Sequence, residues 1–217
     1  MSAPVPPPTL AIAPVLIALV VAGSLVLVAA IWLMAVYNGL VSRRVRVQNA
    51  FAQIDVQLRR RHDLIPNLVS TVKGYMAHER GTLEAVTQAR AAAVAAHQRV
   101  GAAPGDVAST VALAQAEGML QGALGRLMLL MERYPQIKAD QSALQLQEEL
   151  VSTENRIAFA RQAYNDAVMI YNTKLSVFPD MFVAQTFSFA AAPLFEAEAA
   201  AKAVPQVEFA PAAGPQA

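Results

Sequence analysis

The chain has 217 residues, a formal net charge of +1 and no cysteine, and 55% of it is hydrophobic. The near-neutral balance argues against a dedicated nucleic-acid binder, which carries a large basic excess. The missing cysteine removes disulfide frameworks, thiolate metal sites and cysteine nucleophiles.

Residues 1–9, with Pro4, Pro6, Pro7 and Pro8, are expected to form a short, extended, disordered tail. Leu10 to Tyr37 follows as an apolar run without Asp, Glu, Lys, Arg or His. At about 1.5 Å per residue, a helix of this length exceeds the roughly 30 Å hydrocarbon core of a bilayer. A helix apolar all round must be buried all round, so residues 10–37 are expected to cross a lipid bilayer. Pro14 lies near the start, where a missing N–H does little harm. Gly23, Ser24, Ala29 and Ala30 are small, but no small-xxx-small pattern stands out among them. Trp32 and Tyr37 fall at the end of the run, where amphipathic rings favour the membrane interface. Arg43, Arg44 and Arg46 come next, and no basic side chain precedes the run. That bias predicts an outside N-terminus and a cytoplasmic body. A cleavable signal peptide would need a positive leading region and a shorter apolar core, and the chain has neither.

Once the run and the Pro/Ala-rich ends are set aside, about 140 residues remain, enough for one domain with its own core. Between Asn38 and His62 there is no Pro, and Phe51, Ile54 and Leu58 form one helical stripe. Asp55 and Arg59 stand four apart and can pair on the exposed side. Arg59, Arg60, Arg61, His62 and Asp63 interrupt the stripe, and Pro66 follows. Two outcomes are open: the helix kinks here, or Asp63 caps a new helix and the chain reverses. A reversal would bring the C-terminal aromatics back towards the bilayer, and a kink would leave them distal. Leu68, Val72, Tyr75 and Met76 resume the stripe, and Leu83, Val86, Ala89 and Ala93 extend it. Gly74 and Gly81 weaken this helix modestly. Gly101 to Gly105, with Pro104, is a stop signal.

Asp106 is a fair N-cap for the next helix. There Leu113, Glu117, Leu120, Leu124, Leu127, Met131 and Tyr134 follow heptad spacing, and Tyr134-Pro135 closes it. A last long helix is expected from Lys138–Ser142. Leu150, Ile157, Tyr164, Tyr171 and Phe178 recur every seven residues along it, until Pro179 ends it. Ala160, Val168 and Leu175 complete that face. Residues 180–209 read as an apolar tail packed on the bundle or the membrane, with Phe182, Phe187, Phe189, Leu194 and Phe195. Residues 210–217 read as disordered. No strand pattern appears, apart from a weak one at Val207–Phe209.

Chemistry-bearing motifs are sparse. His78-Glu79 resembles the start of a zinc helix, but Thr82 stands where the second His belongs. His62, His78 and His97 have no spacing that closes a metal site on one helical face. Neither a Walker-type loop nor a GxGxxG pattern occurs. No catalytic, cofactor-binding or metal residue is therefore assigned. Glu117 is a charged residue at a heptad core position. A buried carboxylate needs partners, and Arg90, Arg156 and Arg161 lie on helices that can face it. Its expected role is to fix helix register. The Arg59–Arg61 cluster reads by default as a solvated face, with a partner or packing role favoured over lipid.

The residues Ile54 to Val69, with Arg59-Arg60-Arg61-His62-Asp63-Leu64-Ile65-Pro66-Asn67-Leu68 at their centre, resemble the signature of the LemA family. Val72-Lys73-Gly74-Tyr75 and His78-Glu79 continue the likeness, as do Ala89-Arg90 and Ala116-Glu117. Further matches are Tyr134-Pro135, Lys138-Ala139, Glu154-Asn155-Arg156-Ile157-Ala158, Ala160-Arg161, Tyr164-Asn165, Tyr171-Asn172 and Phe178-Pro179. The resemblance covers Tyr37 to about Phe209. It implies a bacterial single-pass membrane protein with an up-and-down helical bundle, outside N-terminus and cytoplasmic body. It implies no particular reaction. One branch of the family is similar to proteins needed for forming magnetosome membranes, and some relatives are encoded near membrane metalloproteases.

The expected fold is all-α: an N-terminal transmembrane helix followed by an antiparallel up-and-down bundle of long helices over residues 38–179. The expected function is a membrane-anchored scaffold or adaptor of the bacterial cytoplasmic membrane, working through oligomerisation or protein contacts and not as an enzyme. The alternatives are an accessory or regulator of a membrane protease, and a membrane-remodelling factor. The expected partners are the bilayer through residues 10–37, a second copy of the chain and a further protein, with no cofactor and no nucleic acid.

Overall fold

The computed structural model describes residues 9–102 and 105–195, with side chains from Leu16 onward. Of the expected tail at 1–9 only Thr9 is described, and it opens a helix; the rest of that tail, the tail at 210–217, the stretch 196–209 and the weak strand signal at Val207–Phe209 lie outside the described residues. Every regular element among the described residues is a helix: α1 Thr9–Lys73, α2 Arg80–Ala102, α3 Val107–Met131, α4 Pro135–Ala139, α5 Gln141–Ser176 and α6 Asp180–Thr186.

α1 runs through Pro66 without a break, so the chain does not reverse there. Proline removes the hydrogen bond that its own N–H would give to the carbonyl four residues back, which here is His62. Arg90 Nε donates to that His62 carbonyl at 2.6 Å. A guanidinium from α2 thus replaces the missing backbone donor, and the Pro66 ring itself is exposed. The reversal comes later, over Gly74–Glu79, where Tyr75 and Met76 N–H both bond the Val72 carbonyl. This corrects the expectation of one stripe-bearing helix across Gly74 and Gly81: α1 stops at Lys73 and α2 begins at Arg80.

The other ends follow local chemistry. Asp106 caps α3, its Oδ2 accepting from Ser109 N at 2.8 Å and from Ser109 Oγ at 2.6 Å. Those bonds hold its carboxyl below the usual carboxylate range. Gly105 reaches φ +87°, a left-handed backbone that costs a glycine least, just before that cap. Asp140 caps α5 in the same manner, through Ser142 and Ala143 N–H.

The chain divides into two units. The first takes the described residues up to Val56 together with Ala158–Ala192. There α1 and α5 run antiparallel, and two contacts and a charge interaction agree on the register. The Phe51 and Tyr164 rings meet edge to face at 5.8 Å, the Arg44 charge acts on the Tyr171 hydroxyl, and Leu175 packs on a cluster containing Val36 and Leu40. Each step back on α1 matches an equal step forward on α5. Val183 and Ala184 of α6 complete that cluster. Asn172 holds the following strap with two bonds, its Nδ2 donating to the Ala192 carbonyl and its Oδ1 accepting from Ala192 N–H, each at 2.9 Å. Tyr171 Oη donates to the Ala190 carbonyl at 3.0 Å. Burial pushes the Tyr164 hydroxyl up to about 12. Phe178 departs from the heptad expectation: it is 73% exposed, whereas Leu150, Ile157, Tyr164 and Tyr171 are buried. α5 ends at Ser176, so Phe178 no longer has the helical geometry that would turn it inward.

The second unit takes Gln57–Ile157 with Pro193–Phe195. α2 packs on α3 here. The heptad residues of α3 are buried from Leu113 to Met131, as their spacing predicts. Leu58, Ile65, Leu68 and Val72 bury the matching stripe of α1. Each fully buried Leu or Ile contributes about 1.5–3 kcal/mol of transfer free energy.

Candidate functional site

The unusual chemistry of the second unit lies in its core. Arg61, His62 and Glu117 are all buried, and Arg61 and Glu117 have no exposed surface. Arg61 Nη2 pairs with Glu117 Oε2. Its Nη1 donates to Glu154 Oε2 at 2.6 Å. His62 Nε2 lies 2.8 Å from Glu117 Oε1. Glu117 therefore spends one oxygen on each of two neighbouring α1 residues. The His62 ring also meets the His97 ring edge to face at 5.9 Å. This node draws on α1 (Arg61, His62), α2 (Arg90, His97), α3 (Glu117) and α5 (Glu154) at once.

The electrostatics are set by a contest. Burial pushes the Glu117 carboxyl up, while the His62 hydrogen bond and the Arg61 charge pull it down, and the pull prevails. Glu117 is thus held ionised. Its bond to His62 then requires the proton on Nε2, since an ionised carboxylate only accepts. An arginine fork suits two carboxylates because its N–H groups diverge in a plane. With Arg61 and Glu117 sealed from solvent, no dissolved substrate reaches either group. What the arrangement does chemically is tie four helices in one register.

The sequence expectation for Glu117 holds in its burial and its need of a partner, but the partners differ. Arg90 serves the His62 carbonyl, Arg156 is exposed, and Arg161 belongs to the first unit. The Arg59–Arg61 run is not uniformly solvated. Arg60 is half-exposed, 3.6 Å from Glu149, and Arg59 is exposed, but Arg61 is the largest fully buried side chain among the described residues. His78 is exposed, and Glu79 accepts from Tyr134 Oη at 3.3 Å. No cluster of metal-ligating side chains occurs among the described residues.

The first unit has a different kind of candidate surface. From Leu16 to Met34 every large apolar side chain of α1 is exposed, Leu33 least at 39% and Val20 most at 71%. The α1 helix is long and apolar enough to cross a membrane.

Comparison with known proteins places these features. Two magnetosome proteins MamQ of Paramagnetospirillum magneticum are each 29% identical over 175 residues, covering 74% of this chain and 64% of their own. The chain thus spans less than two thirds of those relatives. The protein LemA of Metamycoplasma hominis is 27% identical over 160 residues, covering 74% of this chain and 68% of its own. The LemA family model matches residues 50–209, which takes in the whole of the Arg61–His62–Glu117–Glu154 node. The chain belongs to the LemA family.

Proposed function

We propose that this LemA-family chain is a membrane-anchored helical scaffold or adaptor of the bacterial cytoplasmic membrane, with its body on the cytoplasmic side. The observation that carries the reading is the outward apolar face of α1 from Leu16 to Met34, continuous with a helix whose later turns pack into a bundle. Water solvates such a face poorly, and hydrocarbon solvates it well. The basic residues Arg43, Arg44 and Arg46 behind the run support a cytoplasmic body. The node supports an output made of contact surfaces, since its central charges, Arg61 and Glu117, hold helices together and are sealed from solvent.

The test uses the full chain. It is expected to stay with the membrane fraction through an alkaline carbonate wash and to run as one oligomeric size class after detergent extraction. Recovery in the soluble fraction without detergent overturns the anchor. Monomeric behaviour at all concentrations overturns assembly through self-contacts.

A second reading, a part in shaping membranes, is favoured by the likeness to the magnetosome proteins MamQ. In that reading, adding the chain to vesicles changes their diameter in electron micrographs. Unchanged vesicles count against it.

A further inference from the structure

We infer that the turn from Phe178 through α6 to Phe189 is a second membrane-contacting element, an aromatic hook that rests in the interface of an anionic bilayer beside the α1 anchor. The inference rests on the anchor reading above, and the experiment separates the two.

The register of the first unit sets the level of the hook. Phe51 meets Tyr164, and Leu175 reaches the Leu40 cluster, with the Arg44 charge acting on Tyr171 between them. Carried to the last residue of α5, that register brings Ser176 level with Gly39, within one turn of Tyr37. The returning strap confirms the level independently: the Phe187 and Phe189 rings meet Tyr37 edge to face at 5.0 and 5.6 Å. Tyr37 closes the apolar run, where an amphipathic ring marks the bilayer interface.

The hook has two faces. Val183 and Ala184 turn inward and pack with Val36 and Leu40. Phe178 and Phe182 turn outward, 73% and 55% exposed, their rings 5.9 Å apart. Four of the eight phenylalanines in the chain lie between Phe178 and Phe189. Outward aromatic pairs at the mouth of a lipid-facing helix suit the acyl–headgroup boundary, where short amphipathic segments lie in plane. The charge agrees. Arg43, Arg44 and Arg46 follow Tyr37 by about 9–14 Å along the axis, within roughly a Debye length of a headgroup layer. No Asp or Glu occurs on α1 before Asp55. Basic side chains at that height attract anionic lipid.

The test places single tryptophans in the full chain, reconstituted in phosphatidylcholine/phosphatidylglycerol vesicles with shallow nitroxide-labelled lipid. Native Trp32 reports the anchor. In a Trp32→Phe background, Phe182→Trp or Phe178→Trp reports the hook, and Phe159→Trp is the control. Phe159 is 74% exposed on α5, and the register sets it about 28 Å further from Tyr37 along the axis. Both hook positions are exposed, so either replacement is compatible with folding, and circular dichroism checks it. The expected result is strong quenching of Trp32 and of both hook reporters, at least threefold above the control. Omitting phosphatidylglycerol lowers the quenching of the hook reporters and leaves that of Trp32 unchanged, and hook quenching that does not fall overturns the anionic preference of the hook. Quenched Trp32 with unquenched hook reporters overturns the hook and leaves the anchor standing. Equal quenching of the control overturns it too, since the body then lies on lipid without a specific element. No quenching at any position overturns the anchor and the hook together.

Discussion

The two ends of α1 invert the ordinary rule of burial in opposite senses. From Leu16 to Met34 the helix turns Leu, Val, Ile and Met outward. At Arg61 and His62 it turns charged and titratable groups inward. Each inversion has its own physical compensation. The outward face needs a solvent other than water. The inward charges need partners at fixed distance, because an unpaired buried ion is among the costliest things a fold can contain. The difference separates what each region can do. The apolar end is defined by its surroundings and tolerates exchange among hydrophobic residues. The charged node is defined by named partners, and no single member can be exchanged alone.

The largest expected effect follows from breaking the node on one side. Arg61→Met leaves Glu117 buried with His62 as its one remaining partner, and loss of about 3–5 kcal/mol is expected. In thermal unfolding of the detergent-solubilised chain this is a fall in Tm of roughly 10 °C. The double variant Arg61→Met with Glu117→Leu replaces the pair with apolar side chains and is expected to regain most of that loss. Arg60→Met, one residue earlier and half-exposed, is expected to cost less than about 1 kcal/mol. Equal losses at Arg60 and Arg61 would show that the node is not special.

The apolar end is broken by a charge. Leu25→Arg puts a cation in the middle of the outward face, where insertion into hydrocarbon costs about 2.5–3.5 kcal/mol. The expected outcome is reduced recovery in the carbonate-washed membrane fraction, with the helical signal of the bundle unchanged. Leu25→Ile is expected to change neither. Normal membrane recovery of Leu25→Arg would remove the contrast between the two ends.

Much of this was legible in the sequence, and what was not has a common cause. The apolar run, the α3 and α5 stripes, the Asp106 cap and the burial of Glu117 all follow from neighbours within a turn or two of helix. The partners of Arg61 lie 56 and 93 positions away, at Glu117 and Glu154. No local pattern distinguishes Arg61 from Arg60, although α1 periodicity offers one clue: Arg61 stands three residues after Leu58 and four before Ile65, on the buried stripe. The passage of α1 through Pro66 was illegible for the same reason, since the donor that replaces the missing N–H is Arg90, on another helix. The turn at Gly74–Glu79 carries no proline, and its one glycine, with Gly81 just beyond it in α2, reads as a weak helix. Phe178 kept its heptad spacing but lost its helix, because periodicity says nothing once the backbone has turned.

Acid gives the smallest of the expected effects and the finest view of the node, because burial opposes the two partners that hold the Glu117 carboxyl down. The folded chain releases this proton at lower pH than the unfolded chain does. The node therefore stabilises the fold above the ordinary value of 4.5, and that contribution is lost as pH falls through the lowered one. Asp106 and Asp140 are lowered too, so the wild-type chain loses stability in acid through several groups. The informative quantity is a difference. Glu117→Gln keeps the shape of the side chain and removes its titration. Urea unfolding between about pH 6 and pH 3.5 is expected to give a shallower decline for Glu117→Gln than for wild type, with the two curves converging at the acid end. Parallel curves would mean that Glu117 titrates alike folded and unfolded, and that His62 and Arg61 do not hold its charge.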